Sequence, residues 1–231
     1  MSTNSVITTK PIFTPALRIN HSLTASLERR LLEHLARHTP RAINSDHLTL
    51  LGFTAQLAAG AFYALSRTHP LALLAVNFCI VLNWLGDSLD GTLARVRHQQ
   101  RPRYGFYVDH ITDLFGATAL LTGLALSGFA HPLIAAAMLI GFLLLSAESF
   151  LATHSLARFE LSQFLFGPTE LRLLLILGNL FLLRNPYAHI LGHRILLFDL
   201  GGLIGAICML ALTITLALRH TAQLFREEPL A

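Results

Sequence analysis

The chain has 231 residues, 53% of them hydrophobic and 13% charged, with a mean hydropathy of +0.56. A soluble domain carries roughly a quarter charged residues, so the composition excludes an ordinary soluble domain, and the apolar residues fall in long blocks, as in a multi-span membrane protein. The net charge of +4 follows membrane topology rather than a polyanionic partner, and no nucleic acid is expected.

Residues 1–22 read as a flexible polar tail, without the basic-then-apolar pattern of a cleavable signal. Residues 24–38 set Leu27, Leu31, Leu32 and Leu35 on one side and Glu28, Arg29, Arg30 and Arg37 largely around the other. Within a segment spanning 23–45, this is an amphipathic helix, either resting on the membrane surface or packed on the spans. Thr39 and Pro40 end it, and Asn44, Ser45 or Asp46 is placed to cap the next helix.

Six spans follow, at about 47–66, 70–97, 104–127, 132–155, 168–184 and 197–218, with Pro70, Pro132 and Pro168 near helix starts, where proline is tolerated. The expected fold class is all-α: a polytopic protein with six transmembrane helices preceded by an amphipathic surface helix. Residues 46–220 form the membrane unit and 221–231 a C-terminal tail. Arg29, Arg30, Arg37 and Arg41 precede span one, and Arg95, Arg97, Arg101 and Arg103 follow span two; the other side keeps Arg67, Arg184 and Arg194. The asymmetry predicts cytoplasmic termini and cytoplasmic second and fourth loops, in what reads as a bacterial cytoplasmic membrane. Cys79 and Cys208 sit in separate apolar blocks and show no disulfide or metal-binding spacing.

Span two runs from its apolar half into NWLGDSLDGTLARVR without a proline or turn cluster. A continuous helix over 70–97 would be about 42 Å long, so its last turns should emerge from a roughly 30 Å hydrocarbon core. Asp87 and Asp90 lie three apart, and Asp109 and Asp113, at the start of span three, four apart, so each pair shares a helix face. The short connection makes the helices antiparallel neighbours, and four carboxylates should converge. Such a group repels itself and is costly to desolvate. Protonation would relieve this, but hard divalent cations such as Mg²⁺ or Mn²⁺ do so while keeping every oxygen as a ligand. Arg95 offers a fork of donors suited to phosphate.

The stretch Asp87-x-x-Asp90-Gly91-x-x-Ala94-Arg95, followed after nine residues by Gly105-x-x-x-Asp109-x-x-x-Asp113, resembles the signature of the CDP-alcohol phosphatidyltransferase family. With typical usage of several per cent per residue, a chance match at one start is on the order of one in 10¹⁰, so the motif is specific for reaction type. The six-span layout and the preceding amphipathic helix resemble the family as well, and Asn44-Ser45-Asp46-His47-Leu48-Thr49 loosely resembles its entry to the first span. The resemblance implies that Asp87, Asp90 and Asp109 ligate one or two divalent ions holding the donor pyrophosphate. It implies that Asp113 is the general base with a metal-ligand role too, that Gly91 and Ala94 make room for the cytidine, and that Arg95 contacts phosphate; Gly105 completes the binding motif. It also implies a homodimer. Spacing alone leaves open which carboxylate is the base.

The partners implied are a CDP-linked lipid or alcohol donor, a hydroxyl acceptor and membrane lipid. CDP-diacylglycerol could donate a phosphatidyl group to a small polar alcohol, or a CDP-linked small alcohol could donate to a lipid hydroxyl. For the acceptor site the candidates are Glu148, Glu170 and Arg172, with His154 and Thr169 nearby; Thr169 and Glu170 equally fit an ordinary helix start. The competing class is a cation transporter or channel using the acidic cluster as its ion site.

Overall fold

In the long apolar blocks proline occurs only at helix starts, so each block can satisfy its backbone internally, as a chain crossing a membrane must. A computed structural model describes residues 17–19, 25–156, 158–160, 168–190 and 192–229. Among these are seven helices: α1 (Ala25–His38), α2 (Ser45–Leu65), α3 (Ala72–Val96), α4 (Pro102–Ser127), α5 (Pro132–Leu156), α6 (Pro168–Leu182) and α7 (Leu197–Glu227). Two small sheets accompany them. Strands β1 (Leu17–Ile19) and β2 (Arg158–Glu160) pair in parallel, and β3 (Tyr187–Ile190) and β4 (His193–Leu196) form an antiparallel hairpin between α6 and α7.

The helix ends follow local chemistry. Asn44 caps α2: its Oδ1 accepts from the His47 amide at 3.0 Å, and its own amide donates to His47 Nδ1 at 3.3 Å. Pro102 opens α4, and Gly128 closes it in the left-handed region at φ +78°.

Among the described residues four helices, α2, α3, α5 and α7, are long and apolar enough to cross a membrane. The expected count of six does not follow from length and composition. The first half of α4 carries Arg103, Asp109 and Asp113, and α6, at 15 residues, extends only about 22 Å. Two further expectations change. Leu17–Ile19, placed in a flexible tail, forms a strand with Arg158–Glu160; residues 1–16, 20–24 and 161–167 of the expected tail and loop lie outside the described residues. Helix α7 continues beyond 218 to Glu227 without a break, because nothing from Arg219 onward is a proline or glycine until the final turn has passed.

Helix α2 packs most extensively on α3 and next on α4; α5 pairs chiefly with α7 and joins the rest through α4, while α1 and α6 both lie on α3. The α2–α3 approach requires glycine. A Cβ on Gly86 would stand 2.6 Å from both the Gly52 nitrogen and the Leu48 carbonyl oxygen, so these backbones are in direct contact. Gly60 and Gly123 make the equivalent crossing between α2 and α4. In α7 the glycine that packs is Gly202, against Ile134 and Met138, whereas Gly201 and Gly205 look onto open space.

The core around Tyr63, Leu73, Val76 and Leu124 contains a buried polar chain. The Tyr63 hydroxyl donates to Asn179 Oδ1 at 2.8 Å, and Asn179 Nδ2 donates to Asn77 Oδ1 at 2.7 Å, tying α6 to α2 and α3. Helix α1 buries Leu32 and Ala36 with Leu48, Leu89 and Leu93. Of the two readings of this segment, the helix packed on the spans accounts for Leu32 and Leu35, while Leu31 remains 46% exposed; the Leu27 side chain lies outside the described residues. Along α7, Leu203, Ile207, Leu210, Ile214 and Leu218 are exposed, an apolar stripe of the kind that faces lipid.

Candidate functional site

The last turns of α3 and the first turns of α4 bring acidic side chains together as their spacing predicts, with one difference. Asp87, Asp109 and Asp113 each offer a carboxylate oxygen within 4.8 Å of the others. Asp90 lines the same cavity but stands outside that group. Its Oδ2 accepts from Thr49 Oγ1 at 2.6 Å, and its Oδ1 accepts from the Gly91 amide. Ser45 Oγ also donates to the Asp90 carbonyl at 3.0 Å, so the entry to α2 is fastened to the turn that carries Asp90. The cavity is about 10 Å³, room for one water or ion.

Helix α6 supplies a counter-charge. Arg172 Nη2 donates to Asp87 Oδ2 at 2.6 Å, and its Nε donates to Asn83 Oδ1 at 2.9 Å. The Asn83 amide in turn donates to the Gly52 carbonyl at 3.0 Å and to Gln56 Oε1 at 3.3 Å. Both partners of the ion pair are largely withdrawn from solvent, with side-chain exposures of 16% for Arg172 and 24% for Asp87. At the first turns of α4, His110 lies between Phe106, at 4.1 Å, and Phe150 of α5, at 4.9 Å between ring centroids, which fixes the turn bearing Asp109.

Whether a cation fits is a question of charge and donor type. Two unit charges 4.8 Å apart repel by ~3.5 kcal/mol at an effective dielectric constant of 20. Three ionised carboxylates at this spacing repel by ~10 kcal/mol in total, and Arg172 contributes a single positive charge on one of them. An all-oxygen set of hard donors, packed around a space of ionic size, suits Mg²⁺ or Mn²⁺.

The remaining predicted residues fall in several places. Arg95 lies back along α3: its Nη2 donates to Thr92 Oγ1 at 2.9 Å, and its Nη1 would be 3.4 Å from a Cβ on Gly91. Ala94 is half-buried, and Gly105 has nothing within 4 Å of where a Cβ would be. Glu170 is buried, and Thr169 donates to Glu28 Oε1 at 3.0 Å. Glu148 binds elsewhere: its Oε1 is 2.6 Å from His220 Nδ1, in a groove of about 400 Å³ between α5 and α7. His154 is exposed.

Sequence reasoning missed Thr49, Asn83, Gln56 and Glu28 as parts of this site. Asn83 and Gln56 carried a usable signal, since each is a polar residue within an apolar run and such residues seek partners in neighbouring helices.

Comparison with protein-family models matches residues 43–220 to the model described as CDP-alcohol phosphatidyltransferase. The matched range takes in α2 to α6, most of α7 and every carboxylate of the cluster. No curated protein matches the chain.

Proposed function

The chain belongs to the CDP-alcohol phosphatidyltransferase family, and on that premise we propose that it is a metal-dependent transferase. It would move a phosphatidyl or phospho-alcohol group from a CDP-linked donor to a hydroxyl acceptor, releasing CMP. The observation that carries this reading is the group of three carboxylates within 4.8 Å, backed by Arg172 on Asp87.

In this account Asp87, Asp109 and Asp113 hold one or two Mg²⁺ or Mn²⁺ ions, with Asp90 completing the set as the family resemblance implies. Bound there, the metal supplies charge neutralisation for the donor pyrophosphate and for its leaving phosphate. Asp113 accepts the proton of the acceptor hydroxyl. The acceptor oxygen forms a new bond to the donor's β-phosphorus as the phosphoanhydride bond breaks and CMP departs. Arg172 and Arg95 bind phosphate oxygens, for which the guanidinium fork is suited. Gly91 and Ala94 leave room for the cytidine, and Gly105 does so across the opening of α4. Glu170 stands on the acceptor side. Arg172, a candidate for that side from sequence, is assigned to the donor phosphates because it pairs with Asp87, and Glu148, held by His220, lies in the separate α5–α7 groove.

The protein is an integral membrane protein. We read α4 and α6 as completing six spans, with the carboxylates at the cytoplasmic end, which the arginine distribution supports.

The test is CMP release by purified protein in detergent, with CDP-diacylglycerol and CDP-ethanolamine offered separately against a panel of alcohols and lipids. CMP formation that requires Mg²⁺ or Mn²⁺ and disappears in Asp113→Asn is the expected result. Cation flux through reconstituted vesicles, with no CMP from any donor, would replace the transferase by the transporter reading.

A further inference from the structure

One charged group outside the carboxylate cluster is held more firmly than a surface helix requires. Glu28 lies in the first turn of α1. Its Oε1 accepts from Trp84 Nε1 at 2.9 Å, from Ser88 Oγ at 3.2 Å and from Thr169 Oγ1 at 3.0 Å. Two of these donors belong to α3 and one to α6, so a single oxygen joins three helices. Trp84 and Ser88 flank Asp87 on α3, and Thr169 sits one turn before Arg172 on α6. Glu28 therefore joins the turn that presents Asp87 to the turn that presents its guanidinium partner.

Three features make the carboxylate suited to this place. Hydrogen bonds to an ionised acceptor are about twice as strong as neutral ones. Thr169 stands in the first turn of α6, where the positive end of the helix dipole favours a nearby negative charge. Leu32 and Ala36, one and two turns further along α1, are buried against Leu89 and Leu93 of α3 and prevent α1 from rolling away.

We propose that Glu28 is a positioning residue: through Trp84 and Ser88 on one side and Thr169 on the other, it sets where Arg172 meets Asp87. Packing of α1 on the spans thereby governs how the guanidinium is shared between the carboxylate cluster and the phosphates of the substrate. The kinetic part of this statement rests on the transferase reading; the spectroscopic part does not.

Trp84 is the single tryptophan of the chain, so its emission reports the Glu28 contact directly. Thr169→Val removes only the α6 arm. Its Trp84 emission should match wild type, while KM for the CDP-linked donor rises about tenfold, the size of one charge-assisted hydrogen bond, with kcat within about twofold. Glu28→Ala should show the same rise in KM together with shifted Trp84 emission. Glu28→Gln, which keeps an acceptor oxygen without the charge, should recover about half of both. Mn²⁺ quenching of Trp84 gives a readout without turnover. Arg172 competes with a cation for Asp87, so in Thr169→Val the quenching midpoint should move severalfold towards lower Mn²⁺. A wild-type KM and an unmoved midpoint in Thr169→Val would overturn the proposal. So would a loss falling equally on kcat and thermal stability in Glu28→Ala, which would mark a merely structural contact. Absence of CMP release from wild type would remove the transferase reading, leaving the quenching midpoint to decide on Glu28.

Discussion

Replacing Gly86 with alanine tests whether the α2–α3 contact sets the position of Asp87. The added methyl would lie 2.6 Å from the Leu48 carbonyl oxygen and the Gly52 nitrogen and 2.7 Å from the Gly52 Cα, against a comfortable separation of about 3.5 Å. All three obstacles are backbone atoms, so no side chain can swing away and the helices must part by roughly 1 Å. Overpacking of this kind costs about 1–3 kcal/mol. Asp87 is the next residue, and a misplacement of ~1 Å in a reacting geometry costs on the order of 10²-fold in rate. We expect Gly86→Ala to melt earlier in detergent and to form CMP about a hundredfold more slowly than wild type. Gly205→Ala, where nothing lies within 4 Å, is the control and should gain roughly 0.5–1 kcal/mol from helix propensity. The sign decides the matter. If Gly86→Ala were stabilised like the control and retained full activity, the backbone contact would not be what places Asp87.

Asn179→Leu should cost about 1–2 kcal/mol in an unfolding titration, because Tyr63 and Asn77 lose their shared partner inside the helix bundle; activity per folded molecule should hold. Arg172→Ala removes the cation 2.6 Å from Asp87, so Mn²⁺ should bind more tightly while KM for the donor rises at least tenfold; equal Mn²⁺ affinity in calorimetry would contradict the pairing. Thr49→Val strips Asp90 of a hydroxyl donor at 2.6 Å and should lower CMP formation about tenfold, whereas Thr49→Ser should retain most of it.

Much of this architecture is legible in the sequence because apolar blocks bounded by Pro70, Pro132 and Pro168 have few alternatives to helices. The carboxylates are legible for a similar reason: Asp109 and Asp113 share a face by helical period alone. Period alone does not reveal what holds Asp90: Thr49 on α2 donates to one of its oxygens, and the pairing of two helices is not a local property. The same limit hid Glu28, whose partner Thr169 is 141 residues away, and the reach of Arg172 to Asp87 over 85 residues. Helix α1 was open to two readings because Leu32 and Leu35 would suit either a lipid surface or the flank of α3. The parallel pairing of Leu17–Ile19 with Arg158–Glu160 left no trace, since three residues apiece are too few for an alternating pattern to register.

The measurement that bears most directly on the central claim is Mn²⁺ binding by electron paramagnetic resonance, on wild type and Asp109→Asn, with and without CDP. The account predicts one or two Mn²⁺ per chain in wild type, a spectrum altered when the pyrophosphate of CDP is added, and binding weakened at least tenfold in the variant. Equal Mn²⁺ occupancy in both proteins, or a wild-type signal indifferent to CDP, would contradict a metal centre built on Asp87, Asp109 and Asp113 to hold a nucleotide donor.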